Sequence, residues 1–204
     1  EVPAALKGAV VAVGNFDGVH LGHPALIAEA RRQAKARNAP LAVLAFEPHP
    51  AEFFRPRPDS IRLTPLRTKA RLLAELGVDA MFALTFDESM AKRSAENFVT
   101  DVLVKGIGLS GVVVGPDFEF GQGRAGNVGT LKEMGAANGF TVTVFDMVKT
   151  AGEKISSTRI RDSLKAAHPE EAARLLGRFW AIEARVEHGD GRGRTMGFPT
   201  ANMH

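Results

Sequence analysis

Five short apolar runs, each followed by a stretch with helical spacing, constrain this chain more than any other feature. They are residues 9–13 (AVVAV), 41–46 (LAVLAF), 79–86, 111–115 (GVVVG) and 140–146 (FTVTVFD). Most are continuously apolar, as strands are when both sheet faces are covered. Helices are predicted between them over 22–37, 65–76, 94–105 and 128–138, then over 158–166 and 169–176. Thr64 should cap the second helix, with Pro65 at its first position and Gly77 as its stop. Ser94 should cap the third, and Gly139 should end the fourth. Residues 51–63 read as a Pro- and Arg-rich loop. Strands alternating with helices imply right-handed crossovers and a five-stranded parallel sheet, an α/β fold. Such sheets bind ligands beyond the carboxyl ends of their strands, so the turn after the first strand is the first place to look.

Composition excludes some classes. Among 204 residues there is no cysteine, which removes disulfides and thiolate metal sites and fits a cytoplasmic protein. No apolar run approaches membrane-spanning length, so no membrane partner is expected. No secretory leader is read, and Glu1 in place of Met suggests a trimmed start. A net charge of +3 permits anionic partners. Arg31, Arg32, Lys35 and Arg37 lie on one predicted helix without interleaved aromatics; that pattern suits a solvated face rather than a nucleic-acid surface. Small-molecule substrates and no nucleic acid are expected; the oligomeric state is not legible.

The first turn reads Gly14-Asn15-Phe16-Asp17-Gly18-Val19-His20-Leu21-Gly22-His23. Its two histidines are three residues apart at a helix start, so their imidazoles should share one side. The helix terminus adds unpaired N–H groups and partial positive charge. The glycines permit close backbone approach to a ligand. Polyphosphate binding, a metal site with Asp17 as third ligand, and incidental surface histidines are the three readings. The sequence offers no dense His/Glu cluster to complete a zinc site.

Three further blocks follow in order: Phe46-Glu47-Pro48-His49-Pro50, Gly115-Pro116-Asp117-Phe118-Glu119-Phe120-Gly121, and Ile155-Ser156-Ser157-Thr158-Arg159-Ile160-Arg161. Taken alone, the last is either a phosphate grip or a well-capped helix with two solvated arginines, and Lys154 leads it. Asp117 could accept from a ribose hydroxyl, help to hold magnesium, or brace its own turn. Phe118 and Phe120 are expected to pack rather than stack on a base. Together with the His20-x-Gly22-His23 element, these blocks resemble the FMN adenylyltransferase (FAD synthetase) module of the bacterial bifunctional riboflavin kinase/FAD synthetase family, in the nucleotidylyltransferase superfamily.

That resemblance spans nearly the whole chain and implies a Rossmann-like nucleotidylyltransferase fold over residues 1–178. It implies transfer of AMP from ATP to FMN, giving FAD and pyrophosphate. ATP and FMN are then substrates, with Mg2+ carried on phosphates rather than in an all-protein cage. By resemblance His20, His23 and Arg159 are the catalytic groups. Gly14, Asn15, Phe16, Asp17, Gly22, Asp117, Ser156, Ser157, Thr158 and Arg161 would line the ATP site. Glu47, Pro48 and His49 would border the flavin. The histidine turn and the 155–161 hook should face each other across one triphosphate-sized gap. A loop-edge His23 should contribute little to the core.

Past Gly177 the texture changes. Residues 180–187 (WAIEARVE) alternate like a strand, and 189–202 end in Gly197-Phe198-Pro199-Thr200-Ala201-Asn202. This tail resembles the opening of a β-barrel riboflavin kinase module over 179–204, in which Thr200 and Asn202 would bind Mg-ATP. The barrel needs many more residues, so no kinase activity is expected of these 204.

Two stretches imitate a dinucleotide fingerprint. Gly121-Gln122-Gly123-Arg124-Ala125-Gly126 fits G-x-G-x-x-G and has Asp146 about 20 residues on. Residues 116–120 separate it from its strand, however, and the copy at 106–111 precedes one. The alternatives to the flavin reading are a sibling nucleotidylyltransferase and a non-catalytic nucleotide- or RNA-binding module. The sibling would use pantetheine phosphate, nicotinate mononucleotide or a sugar-alcohol phosphate.

Overall fold

The computed structural model describes residues 2–55, 62–146, 149–150, 153–189, 192–198, 200 and 202–203. Its centre is a fully parallel sheet of order β3-β2-β1-β4-β5, built from β1 (Val10–Val13), β2 (Leu41–Glu47), β3 (Ala80–Thr85), β4 (Gly111–Val114) and β5 (Thr141–Val144). The helices α1 (His23–Ala36), α2 (Pro50–Phe54), α3 (Leu66–Glu75), α4 (Glu88–Ala91), α5 (Ala95–Asn97), α6 (Val128–Asn138), α7 (Ser157–Lys165) and α8 (Pro169–Leu176) surround it, with a π-helix over Phe98–Ile107.

The apolar runs become strands because both sheet faces are covered. Val10, Ala12, Leu41, Val43, Ala45 and Val113 pack with Ile27 and Ala30 of α1 and Leu72 and Leu73 of α3. On the opposite face Val11, Val13, Ala42, Leu44, Val112 and Val114 meet Phe98, Val99 and Leu103 of the π-helix, with Leu131 of α6. A third cluster joins Leu63 and Ile155 to Ile160 of α7 and to Ala172, Leu175 and Leu176 of α8, with Trp180 against it.

The predicted strands and the helix Val128–Asn138 are where expected, and Gly139 closes that helix in the left-handed region. The third helix differs. Ser94 caps only Ala95–Asn97, after which the winding widens to a π-helix that ends at Gly108. Its buried residues are Phe98, Val99, Leu103 and Ile107, a spacing that does not by itself tell π from α winding. Residues 51–54, read as the start of a Pro- and Arg-rich loop, belong instead to α2 (Pro50–Phe54). Pro50 occupies a first-turn position that needs no donor, and His49 Nδ1 accepts from Ala51 N–H at 2.9 Å. The second helix starts at Leu66, with Pro65 rather than Thr64 at its cap.

The stretch 180–187 is a strand only at β8 (Val186–Glu187), paired antiparallel with β9 (Asn202–Met203). Side chains pin its first half to α3 instead of a ladder. Trp180 Nε1–H donates to Leu63 O at 3.1 Å, and Glu183 accepts from Thr68 Oγ1 at 2.9 Å. Short pieces β6 (Lys149–Thr150), β7 (Glu153–Lys154) and α9 (Arg192–Thr195) complete the described elements.

Leu44 is fully buried on the central β2. Leu44→Ala should cost about 2–5 kcal/mol, from lost transfer energy plus the residual cavity. Urea unfolding of the variant and the parent measures this.

Candidate active site

The turn after β1 is held in an unusual backbone. Phe16 has φ +50° and the β-branched Val19 has φ +40°, while Gly18 between them has φ +82°. Positive φ at valine is a strained state that persists only where neighbours enforce it. Gly18 N–H donates to Thr64 Oγ1 at 2.9 Å, and Leu21 N–H donates to Leu175 O at 3.2 Å. Arg178 donates to the carbonyls of Gly18, Val19 (3.0 Å) and Leu176 (3.3 Å). That arginine is the last residue of the expected first domain and was not singled out from sequence.

The turn sets His20 and His23 ring on ring, with centroids 3.8 Å apart and planes 24° from parallel. His20 is 4% exposed. Its Nδ1 accepts from Gly22 N–H at 3.2 Å, so the neutral ring carries its proton on Nε2. Desolvation pulls its pKa down to about 4. Burial, the charge at His20 and then that at Lys69 hold His23 well below the usual histidine range. Both imidazoles are therefore neutral near pH 7. His23 heads α1 and packs against the buried ring of Phe16, centroids 4.9 Å apart. It is part of the packing, contrary to the expectation of a loop-edge residue. Its Nδ1 is buried and meets no acceptor or donor among the described residues.

Asp17 is 6% exposed, and its carboxylate is spent inside the protein. It accepts from Leu63 N–H (3.3 Å), Thr64 N–H (3.0 Å), Thr64 Oγ1 (3.2 Å) and Arg161 (2.6 Å). Its backbone carbonyl accepts from Ser157 Oγ at 2.8 Å. The carboxylate ties the turn together instead of facing a ligand. The phenyl ring of Phe16 is likewise core rather than pocket lining, and the residue as a whole is buried. Asn15 is exposed beside them, and Gly14 lies against the Phe16 ring.

These contacts bring the 155–161 hook directly against the histidine turn. The gap expected between them is a contact here: a Cβ built on Gly22 would lie 3.7 Å from Ile155 O. Ser156 caps α7, accepting from Arg159 N–H at 3.3 Å, and Thr158 is exposed on the first turn. Arg159 donates to Glu171 of α8 at 3.0 Å. The Lys154 side chain lies outside the described residues.

Beyond β2, Glu47 accepts from Arg62, which also reaches Glu52 at 2.7 Å. His49, whose pKa burial lowers, caps α2, and Pro48 follows a cis peptide bond. Asp117, Glu47, His49, Asp17, Arg62 and Lys69 do not form one group. Asp117 is exposed on the turn after β4, its carboxylate folded toward Gly115, while the other five line a narrow cleft together with Glu52. Phe118 and Phe120 stack on each other, 5.5 Å apart, and Phe120 packs on Phe98 as expected. Gly121 and Gly126 let the loop close on Ala95 and the Phe120 ring, which accounts for the fingerprint-like glycines without a dinucleotide. Thr200 lies by Gly193, and Asn202 pairs with Glu187 in β9; Pro199 and Ala201 lie outside the described residues. Among the described residues no three of His, Asp and Glu converge as an ion cage, and no helix is long and apolar enough to cross a membrane.

A family model for FAD synthetase matches residues 2–159. The chain belongs to the FAD synthetase family. A second model, for riboflavin kinase, matches residues 176–204. Curated bifunctional riboflavin kinase/FMN adenylyltransferases are similar over 97% of the chain. They include those of Escherichia coli K12 (44% identity), Pseudomonas fluorescens (42%) and Haemophilus influenzae (38%). The chain spans 63–64% of the length of these relatives. A crystal structure described as a macrolide-efflux protein from Streptococcus pneumoniae matches the whole chain with a TM-score of 0.81 at 30% identity, covering 65% of that protein. The shared α/β architecture agrees with the sheet expected from the family's sequence pattern.

His20 gives this family member an acid-sensitive fold. Its folded pKa is depressed from 6.5 to about 4, so its contribution is complete above pH 6.5 and is lost as pH falls through that window. Unfolding free energy should drop by about 2 kcal/mol between pH 7 and pH 5 from this group. His20→Gln should lack that part of the slope; urea titrations at the two pH values test it.

Proposed function

We propose that this chain transfers the adenylyl group of ATP to FMN, producing FAD and pyrophosphate. The observation that carries the reading is the stacked His20–His23 pair at the α1 N-terminus, joined through Asp17 to Ser157 and Arg161 of α7. Membership in the FAD synthetase family supplies the acceptor, since the curated relatives are named for FMN. A riboflavin kinase activity of the whole protein is a companion proposal, resting on the 176–204 match with Thr200 and Asn202 as its Mg-ATP contacts.

In the reaction a phosphate oxygen of FMN attacks the α-phosphorus of ATP. The new P–O bond forms as the bond to the β-phosphate oxygen breaks, and pyrophosphate leaves with that electron pair. The nucleophile is already ionised at neutral pH, so no general base is needed. The protein's task is to bring two anions together, against a repulsion of about 4 kcal/mol per charge pair at 4 Å in a surface-like dielectric.

Gly22 occupies Nδ1 of His20, which leaves its Nε2–H to donate where charge develops. His23, stacked on it, donates from the same face. The backbone of Gly14, Asn15 and Gly22 admits the phosphates closely. The α7 N-terminus, with Ser156, Ser157 and Thr158 around it, offers N–H groups from the other side. Arg159 swings from Glu171 onto the triphosphate, while Arg161 acts through Asp17 by holding the hook in place. Asp117 reaches the nucleotide from its exposed loop, and Glu47, Pro48 and His49 form the flavin border. Magnesium bound to the triphosphate would neutralise part of its charge, and Asp117 would be the carboxylate to meet it.

FAD and pyrophosphate formation from FMN, ATP and magnesium tests the reading, and a protein that makes neither would overturn it. His23→Gln should lower kcat on the order of 100- to 1000-fold, as loss of a transition-state donor does, and unchanged turnover would remove its role. Arg159→Ala should raise the KM for ATP and slow transfer. Its partner Glu171 is solvent-accessible, so the melting temperature should hold.

A further inference from the structure

Lys69 is a buried cation whose donors are poorly provided for. It lies on the buried face of α3 with Thr68, Leu72 and Leu73, and is 5% exposed. Its Nζ stands 3.7 Å from Glu47 Oε2, an ion-pair distance beyond hydrogen-bond reach. That carboxylate is shared, because Arg62 donates to its other oxygen. Among the described residues Nζ makes no hydrogen bond. Three donors on a side chain more than nine-tenths buried are costly to leave unmet, and an arriving anion would satisfy them. They open on the narrow cleft lined by Asp17, Glu47, His49, Glu52 and Arg62, and their charge is felt at His23.

Resting on the adenylyltransferase reading, we infer that Lys69 docks the phosphate monoester of the flavin acceptor and holds it beside the histidine-bound triphosphate. The triphosphate has its own donors in the two histidines and the α7 terminus. The acceptor phosphate needs a separate countercharge to approach it. Arg62 is engaged by two carboxylates and Arg161 by Asp17, whereas Lys69 is a compact charge with three donors that can turn toward an incoming oxygen.

The test compares FMN with riboflavin, which lacks the phosphate. Binding of each is followed by flavin fluorescence, with ATP binding measured separately, in the parent chain and in Lys69→Met. FMN affinity should fall on the order of 10- to 100-fold, the worth of a charged hydrogen-bonded pair, while riboflavin and ATP affinities stay unchanged. The melting temperature should hold, since Glu47 is partly exposed and keeps Arg62 as its partner when the lysine is removed. Lys69→Gln repeats the comparison if the methionine variant does not fold. Equal losses for FMN and riboflavin would reduce Lys69 to packing, a loss confined to ATP would assign it to the triphosphate, and unchanged FMN affinity would remove it from the site. Failure of the parent chain to make FAD would count against the adenylyl transfer itself; the FMN-over-riboflavin ratio reads the lysine alone.

Discussion

One buried carboxylate organises the site. Asp17 receives donors from the loop ahead of α3 and from Arg161 of α7, while its carbonyl takes the Ser157 hydroxyl. Three segments far apart in sequence thereby meet at the carboxyl end of β1. The Asp17–Arg161 pair is mostly shielded from water, so removing one partner would strand the other. Such a pair adds little net stability compared with apolar packing, but it fixes geometry. Here it fixes the distance between a histidine-bearing helix start and a second helix start, the dimension on which a polyphosphate site depends.

The strain in the same turn follows from that arrangement. Val19 at positive φ is expensive, and the turn adopts it because Thr64, Leu175 and Arg178 hold the adjoining backbone groups. The backbone so held stacks the two imidazoles and turns Nδ1 of His20 inward onto Gly22. Burial then keeps both rings neutral. A neutral ring donates one hydrogen bond in a fixed direction, whereas an imidazolium in the same place would repel Lys69 and Arg178. Neutrality is thus the state compatible with the cations packed beside the two rings.

The sheet was legible because strands buried on both faces must read as apolar runs, and 9–13, 41–46 and 111–115 do so without interruption. The histidine turn and the capped hook were legible through the family resemblance, since their residues alone left a metal site or a plain capped helix open. The contribution of Asp17 was not, because nothing local marks a carboxylate whose partners lie 46 and 144 positions away. Lys69 carried a weak signal. It stands three and four residues before Leu72 and Leu73, on the apolar stripe of its own helix, where a lysine is out of pattern. The π-helix was hidden because Phe98, Val99, Leu103 and Ile107 also suit an α-helix within the tolerance of sequence periodicity.

The boundary near 177 has a physical meaning different from a linker. Gly177 takes φ +74° and sits where a Cβ would come 2.5 Å from Leu21 of the histidine turn. The residues that follow do not leave the domain at once. Arg178 crosses to the carbonyls of Gly18 and Val19, Trp180 reaches Leu63, and Glu183 bonds Thr68 on the helix that carries Lys69. All three lie inside the stretch matched by the riboflavin kinase model, yet each is tied to a structural support of the histidine turn. Sequence families divide the chain where the pattern changes, whereas the contacts divide it where the last side chain lets go. Here the two points differ, so the opening of the stretch matched by the second model also buttresses the histidine turn.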